Sequence, residues 1–198
     1  MGGSVRRALS TCTTCLARRS SALRFEQRAA AVALFVLDVD GVLTDGTLLD
    51  VRGTACRRFH TQDGIGMILL DTAGIRTVLV TGKQSYGLRV RAREVRCRHV
   101  YQGVKDKVSV VNRLCRMKGL SWRQVAYMGD DLPDLPVMKL AGLAIAPANA
   151  VAEVRNAADI VTRREGGAGA VREAAELLLK GRGAWEDTVS RYLRSLRC

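Results

Sequence analysis

The sequence predicts an α/β fold: a parallel sheet covered by helices on both faces. Three observations carry that expectation. Short, continuous apolar runs such as Ala31–Leu37 and Arg76–Val80 have the length and composition of strands buried on both sides. Amphipathic stretches of helical period separate these runs. The runs end in polar, chemistry-bearing residues (Asp38, Thr81 and Gly129-Asp130-Asp131), and in open α/β sheets ligands sit outside the carboxyl ends of the strands.

The elements follow in order. Ala31–Leu37 reads as the first strand, ending at Asp38. Thr47–Val51 and Thr54–Phe59 flank Arg52-Gly53 as a small hairpin. Asp63–Ala73 repeats apolar residues at helical spacing and stops at Gly74. Arg76–Val80 is a second buried strand, Gln84–Val95 a basic helix and Cys97–Tyr101 a short strand. Val104–Lys118 is an amphipathic helix closed by Gly119. Gln124–Met128 is a strand running into Gly-Asp-Asp. Leu132–Leu140 is a short helix, Leu143–Ile145 a strand, Ala150–Ala157 a helix and Asp159–Val161 a last short strand. Gly169–Leu179 and Ala184–Leu196 complete the pattern as helices.

Composition sets the limits. The chain has 198 residues, 47% of them apolar, which suits one compact domain with an ordinary core. No apolar run approaches the roughly 20 residues that span a bilayer. The division expected is a basic, disordered extension over 1–30, a catalytic domain over 31–182, and a helix or tail over 183–198. Residues 1–30 hold six Arg against Glu26 alone, and so carry +5 of the net +13. They include Cys12-Thr-Thr-Cys15, but a zinc site needs a second pair at metal spacing and none exists. With no apolar segment for secretion near the start, free thiols in a reducing cytoplasm are expected. The net charge invites a nucleic-acid reading. However, the Arg-rich run Arg89–Arg98 is only bracketed by Tyr86 and Tyr101, so a solvated helix face is preferred.

Chemistry concentrates at the strand ends. Asp38 and Asp40, two residues apart after a buried strand, are costly without a partner. With Asp130 and Asp131 they form an oxygen-rich set suited to Mg2+. A free Asp oxygen beside such a metal can attack phosphorus, because the cation offsets the repulsion between carboxylate and phosphate. Thr81 can donate a hydrogen bond to a transferring phosphoryl group, and Lys107 supplies a fixed positive charge there. Taken singly, each has a plain structural reading as a cap, turn residue or solvated face. Together, in this order, they point to phosphoryl transfer.

Asp-x-Asp-Gly-Val-x-Thr from Asp38, Thr81-Gly82-Lys83, Lys107 and Gly129-Asp130-Asp131-x-x-Asp134 resemble the four motifs of the haloacid dehalogenase superfamily of phosphatases. Further residues, including Asp63-Gly64-x-Gly66, Tyr101-Gln102-Gly103 and Gly166-Gly167-x-Gly169-Ala170-Val171-Arg172-Glu173, narrow this. They resemble the capless 3-deoxy-D-manno-octulosonate 8-phosphate phosphatases over residues 32 to about 180. The resemblance implies a Rossmann-like fold with a β-hairpin flap over 47–59 in place of a cap domain. It implies Asp38 as nucleophile and metal ligand, Asp40 as general acid and base with its backbone carbonyl on the metal, and Asp130 as the remaining ligand. Asp131 and Asp134 would support that loop, and Thr81 and Lys107 would hold the phosphate. His60, Thr61, Gln62, Asp63, Gly64, Lys83 and Arg91 fall at positions that contact substrate.

A small phosphorylated sugar acid, a homotetramer and a cytoplasmic setting, without nucleic acid or membrane, are the expected partners and place. The chain departs from the family pattern at Gln62, Ile68 and Ala168, where relatives usually carry cations, and at Lys83 in place of Arg. Two other classes compete. A phosphoacceptor signalling domain would need an Asp at the end of the third strand, where the chain has Tyr101-Gln102. A non-catalytic oligomerisation module attached to sugar activation would not need Asp38 and Asp40. A phosphatase for another sugar phosphate is the nearest alternative.

Overall fold

The structure, a computed structural model, describes residues 25–51 and 54–196. A helix, α1, covers 25–31. Then come β1 (Leu34–Leu37), the hairpin strands β2 (Leu49–Val51) and β3 (Thr54–Cys56), α2 (Thr61–Thr72), β4 (Arg76–Val80), α3 (Tyr86–Glu94) and β5 (His99–Tyr101). They are followed by α4 (Lys107–Lys118), β6 (Val125–Met128), a 3-10 turn over Leu132–Asp134, α5 (Leu135–Met138), β7 (Leu143–Ala146) and α6 (Ala152–Ala157). The last elements are β8 (Ile160–Val161), α7 (Ala170–Gly181) and α8 (Trp185–Ser195).

Six strands form one parallel sheet in the order β5-β4-β1-β6-β7-β8, and β2 and β3 pair antiparallel as a separate flap. The apolar runs are continuous because both faces are covered. Phe35 and Leu37 pack into one core with α2 and α7, while Leu34 and Val36 pack into the other with α4, α5 and α6. The chain leaves β1 toward β4 and β5, then returns on the other side of β1 through β6. The carboxyl end of β1 is therefore the switch point, where an α/β sheet opens a crevice. Helix ends follow local chemistry. Asp106 caps α4 by accepting from the Ser109 N–H at 3.0 Å, and Gly119 closes that helix at φ 63°.

One expectation needs correction. Residues 25–31 are helical and belong to the packed domain, not to an arm or to the first strand. Ala29 and Val32 are fully buried, Phe25 packs against the core, and Arg28 pairs with Asp159 across the fold. Periodicity over so few residues was masked by the surrounding Ser and Arg. The rest of the expected extension, with Cys12 and Cys15, lies outside the described residues. Cys97 and Cys115 are buried thiols. The carboxyl-terminal segment is the helix α8, whose Thr188 is fully buried.

Candidate active site

Asp38 follows β1 directly, and its N–H extends the ladder to the Met128 carbonyl at 2.9 Å. The chain then turns in one tight coil, with the N–H groups of Val42, Leu43 and Thr44 all converging on the Val39 carbonyl. Gly41 makes this turn possible. Its φ is +96°, and a Cβ there would stand 1.9 Å from the Asp130 carboxylate. The coil therefore presses its backbone against the acidic loop after β6. From the other side, a Cβ at Gly166 would stand 1.7 Å from the Gly41 carbonyl oxygen, so the loop after β8 packs equally tightly on the same coil.

Three carboxylates meet there. Asp38, Asp130 and Asp134 each offer an oxygen within 4.8 Å of the others. Their hydrogen bonding separates their roles. Asp134 is fully engaged: it accepts from Tyr127 Oη at 2.5 Å, Lys107 Nζ at 2.7 Å and the N–H groups of Asp130 and Asp131 at 3.0 and 3.3 Å. Asp38 accepts from Lys107 Nζ at 2.8 Å. Asp130 Oδ1 is buried and has no donor among the described residues.

Electrostatics follow from this crowding. Burial, then the Asp134 charge, pushes Asp38 up to about 6 despite the opposing pull of Lys107. Burial, then Asp38, Asp134 and Asp131, pushes Asp130 up to about 7. Burial alone would lower Lys107, but Asp38 and Asp134 outweigh it and hold the ammonium above its ordinary value. Burial and the adjacent carboxylates keep the Tyr127 phenol protonated and donating.

An orphaned, buried carboxylate oxygen beside a second carboxylate fits a hard divalent cation, and all-oxygen donors favour Mg2+. Asp40 turns its side chain the other way. It accepts from Arg57 Nε at 2.7 Å and from Thr81 Oγ1 at 3.3 Å, and so lies between the flap and β4. A buried carboxylate, a second acid two residues on, a hydroxyl and an ammonium thus come together, a set suited to phosphoryl transfer.

A profile of the haloacid dehalogenase-like hydrolase family matches residues 96–173. The 3-deoxy-D-manno-octulosonate 8-phosphate phosphatase of Yersinia pestis is 40% identical over 154 residues, 77% of this chain and 82% of the relative. That of Haemophilus influenzae is 35% identical over 175 residues, 87% of this chain and 97% of the relative. The crystal structure of 3-deoxy-D-manno-octulosonate 8-phosphate phosphatase from Moraxella catarrhalis, in complex with magnesium ion, phosphate ion and KDO, superposes with a TM-score of 0.81. Its identity is 36%, covering 85% of this chain and 97% of that one.

The chain belongs to this phosphatase family of haloacid dehalogenase-like hydrolases. Both the family and the α/β fold read from its motifs are borne out.

Other residues expected to contact substrate divide between exposed and buried positions. Gln62 accepts from Arg164 at 2.7 Å. Lys83 is exposed, and its N–H bonds to Thr81 Oγ1 at 3.1 Å. Thr61 opens α2 and is exposed. Arg91 lies under Gly64, where a Cβ would meet its guanidinium at 2.5 Å, and pairs with Glu94. His60 Nδ1 is buried without a hydrogen-bond partner among the described residues. Asp63 is buried and accepts from the Arg172 N–H at 2.8 Å, so it ties α2 to the start of α7. Burial pushes its carboxyl up, against the pull of that N–H, His60 and Arg164. Asp131 is exposed and caps the turn after β6.

Sequence reasoning missed Arg57, Tyr127 and Arg164. Tyr127 had a signal: a lone phenol in an aliphatic strand needs a partner for its hydroxyl. Arg57 and Arg164 stand in cation-rich loops where nothing local marks one Arg from the next.

Proposed function

We propose that this chain hydrolyses 3-deoxy-D-manno-octulosonate 8-phosphate, or a close sugar-acid phosphate, with Mg2+ as cofactor. The observation that carries the reading is the buried, unpartnered Asp130 oxygen beside an Asp38 that Lys107 holds at 2.8 Å. Asp38 and Asp130, with the Asp40 backbone carbonyl, would hold the metal. Bound there, the cation offsets charge between carboxylate and phosphate.

The chain's own residues do the rest. Asp38 attacks phosphorus, forming a bond from its carboxylate oxygen as the bond to the ester oxygen breaks. Asp40 gives its proton to the leaving alkoxide. Asp40 then takes a proton from water, which attacks the phosphoaspartate and releases inorganic phosphate and free Asp38. Thr81 and Lys107 donate to the phosphoryl oxygens. Arg57 fixes the Asp40 carboxylate between flap and β4, and Asp134 with Tyr127 fixes Lys107 and the acidic loop.

A homotetramer accords with the family expectation and with the exposed Leu48 and Leu49 at the flap, and a cytoplasmic setting with the family expectation alone. Among the described residues no helix is long and apolar enough to cross a membrane.

The test is phosphate release from the sugar-acid phosphate and from neutral sugar phosphates, with magnesium and with chelator. Asp38→Asn should abolish release with the circular-dichroism spectrum unchanged. Turnover by that variant near the wild-type rate would overturn the mechanism. Preference for neutral esters would overturn the substrate.

A further inference from the structure

A cleft of about 710 Å³ lies between α3 and the start of β5, away from the catalytic acids, lined by Arg89, Arg93, Arg96 and Arg98 with Asp71. A second hollow shares Asp71, Arg96 and Arg98 and adds Arg76 and His99. Arg76 opens β4, whereas Thr81 follows its last residue, so the cleft is at the amino edge of the sheet, roughly 16 Å from the catalytic edge along the strand.

The cations are gathered and left without counterions. Five guanidiniums face only the Asp71 carboxylate, and Arg76, Arg93, Arg96 and Arg98 form no ion pair among the described residues. Tyr86, Arg89 and Arg93 share one face of α3 at i, i+3 and i+7. Arg96, just past the helix, sits at φ 59°, a conformation that glycine adopts at less cost, and its side chain lines the cleft with the others. At the other end Tyr86 is 74% exposed, with the Arg89 guanidinium 5.8 Å from its ring centroid. The stripe thus runs about 15 Å, from an open aromatic face at the start of α3, on the carboxyl edge, to a cluster of cations at the amino edge. Burial, then Lys118, Arg76 and Arg98, pushes His99 down, as an uncompensated positive field requires.

We propose that this cleft, with the hollow that adjoins it at Arg89, binds a nucleoside polyphosphate, its phosphate chain on Arg93, Arg96 and Arg98 in the cleft and its base on Tyr86 in the hollow. Guanidinium forks match phosphate oxygens, and successive charges along one face suit a chain of phosphates rather than a single ester. An aromatic face accepts any base by stacking. Asp71, the one carboxylate in the lining, keeps the chain toward α3.

Calorimetric titration of the full chain with ATP and with tripolyphosphate tests this, in chelator. Chelation stops phosphoryl transfer and leaves the catalytic crevice anionic, so binding there is suppressed. Both probes should bind. Arg93→Ala with Arg96→Ala should weaken both by about tenfold or more. Tyr86→Ala should weaken ATP and leave tripolyphosphate unchanged. Magnesium-dependent phosphate release from the sugar-acid phosphate should stay at the wild-type rate in every variant. Absence of binding, or affinities that the arginine substitutions leave unmoved, would overturn the site. ATP affinity unchanged by Tyr86→Ala would overturn its assignment to a nucleotide.

Discussion

Replacing Asp130 by Asn should stabilise the metal-free protein at alkaline pH. The Asp130 carboxyl stands at about 7 in the fold against an ordinary 3.8, so the folded state holds that proton more tightly than the unfolded chain does. For a raised carboxyl the associated stability is fully present below the unfolded value and is lost as pH rises through about 7. The gap between 3.8 and about 7 corresponds to about 4 kcal/mol at roughly 1.36 kcal/mol per pH unit. Partial solvent access reduces that to about 2–3 kcal/mol. Asn cannot ionise and escapes the loss.

Urea denaturation in chelator is the assay. At about pH 8.5 Asp130→Asn should be the more stable protein by about 2–3 kcal/mol, and at about pH 5, short of the unfolded carboxyl range, the gap should narrow strongly. Magnesium at about 100 times its Kd should add about 2.7 kcal/mol to the wild type and far less to the variant, closing or reversing the order. A variant less stable than wild type at alkaline pH in chelator would refute the account, because Asp130 would then have a compensating partner.

Three further outcomes follow from neighbouring residues. Lys107→Met should lower kcat by about 10²–10³-fold, as loss of a donor to transition-state charge does, read by steady-state phosphate release. Gly41→Ala should cost about 1–3 kcal/mol in urea denaturation, from its φ of +96° and the clash with Asp130, and should weaken magnesium binding measured by calorimetry. Tyr127→Phe removes the 2.5 Å bond to Asp134 and should cost about 1.5–3 kcal/mol of stability, with a smaller loss of kcat than Lys107→Met.

Asp38, Thr81 and Asp130, to which the proposal assigns the chemistry, were legible because each sits at or just past the end of a buried apolar run. Asp38, Thr81 and Asp130 could be placed on one edge from strand ends alone, and the sheet confirms that β4, β1 and β6 are neighbours. What pattern could not supply was the direction of side chains. Asp38 and Asp40 look equivalent in sequence, yet the coil at Gly41 turns one toward Asp130 and the other toward Arg57. Asp63 looked like a rim residue and is instead a buried tie between α2 and α7. Arg57 was hidden because its meaning depends on where the flap folds over, a tertiary fact with no local spacing. Helix α1 was hidden for the same reason: Ala29 and Phe25 acquire a partner only when Gly181, distant in sequence, leaves room for them.

The charge balance of the crevice explains why Lys107 should matter more than a single contact. Asp38, Asp40, Asp130, Asp131 and Asp134 bring five carboxylates, and Lys107 and Arg57 are the cations bonded to them. A phosphate ester entering that field meets net negative charge inside a chain whose total is +13. The excess of cations elsewhere can draw the substrate inward, but it cannot neutralise the buried carboxylates of Asp38 and Asp134. Lys107 bridges two of them at once, at 2.8 and 2.7 Å, and a divalent cation on Asp38 and Asp130 would offset most of the charge that remains. Removing the ammonium therefore does more than delete a donor. It leaves Asp38 and Asp134 facing each other, raises the Asp38 carboxyl further, and reduces the ionised share of the proposed nucleophile near neutrality. The pH–rate profile of Lys107→Met should accordingly have its acidic limb moved to higher pH. A limb left in place would mean that Lys107 acts on the phosphoryl group alone.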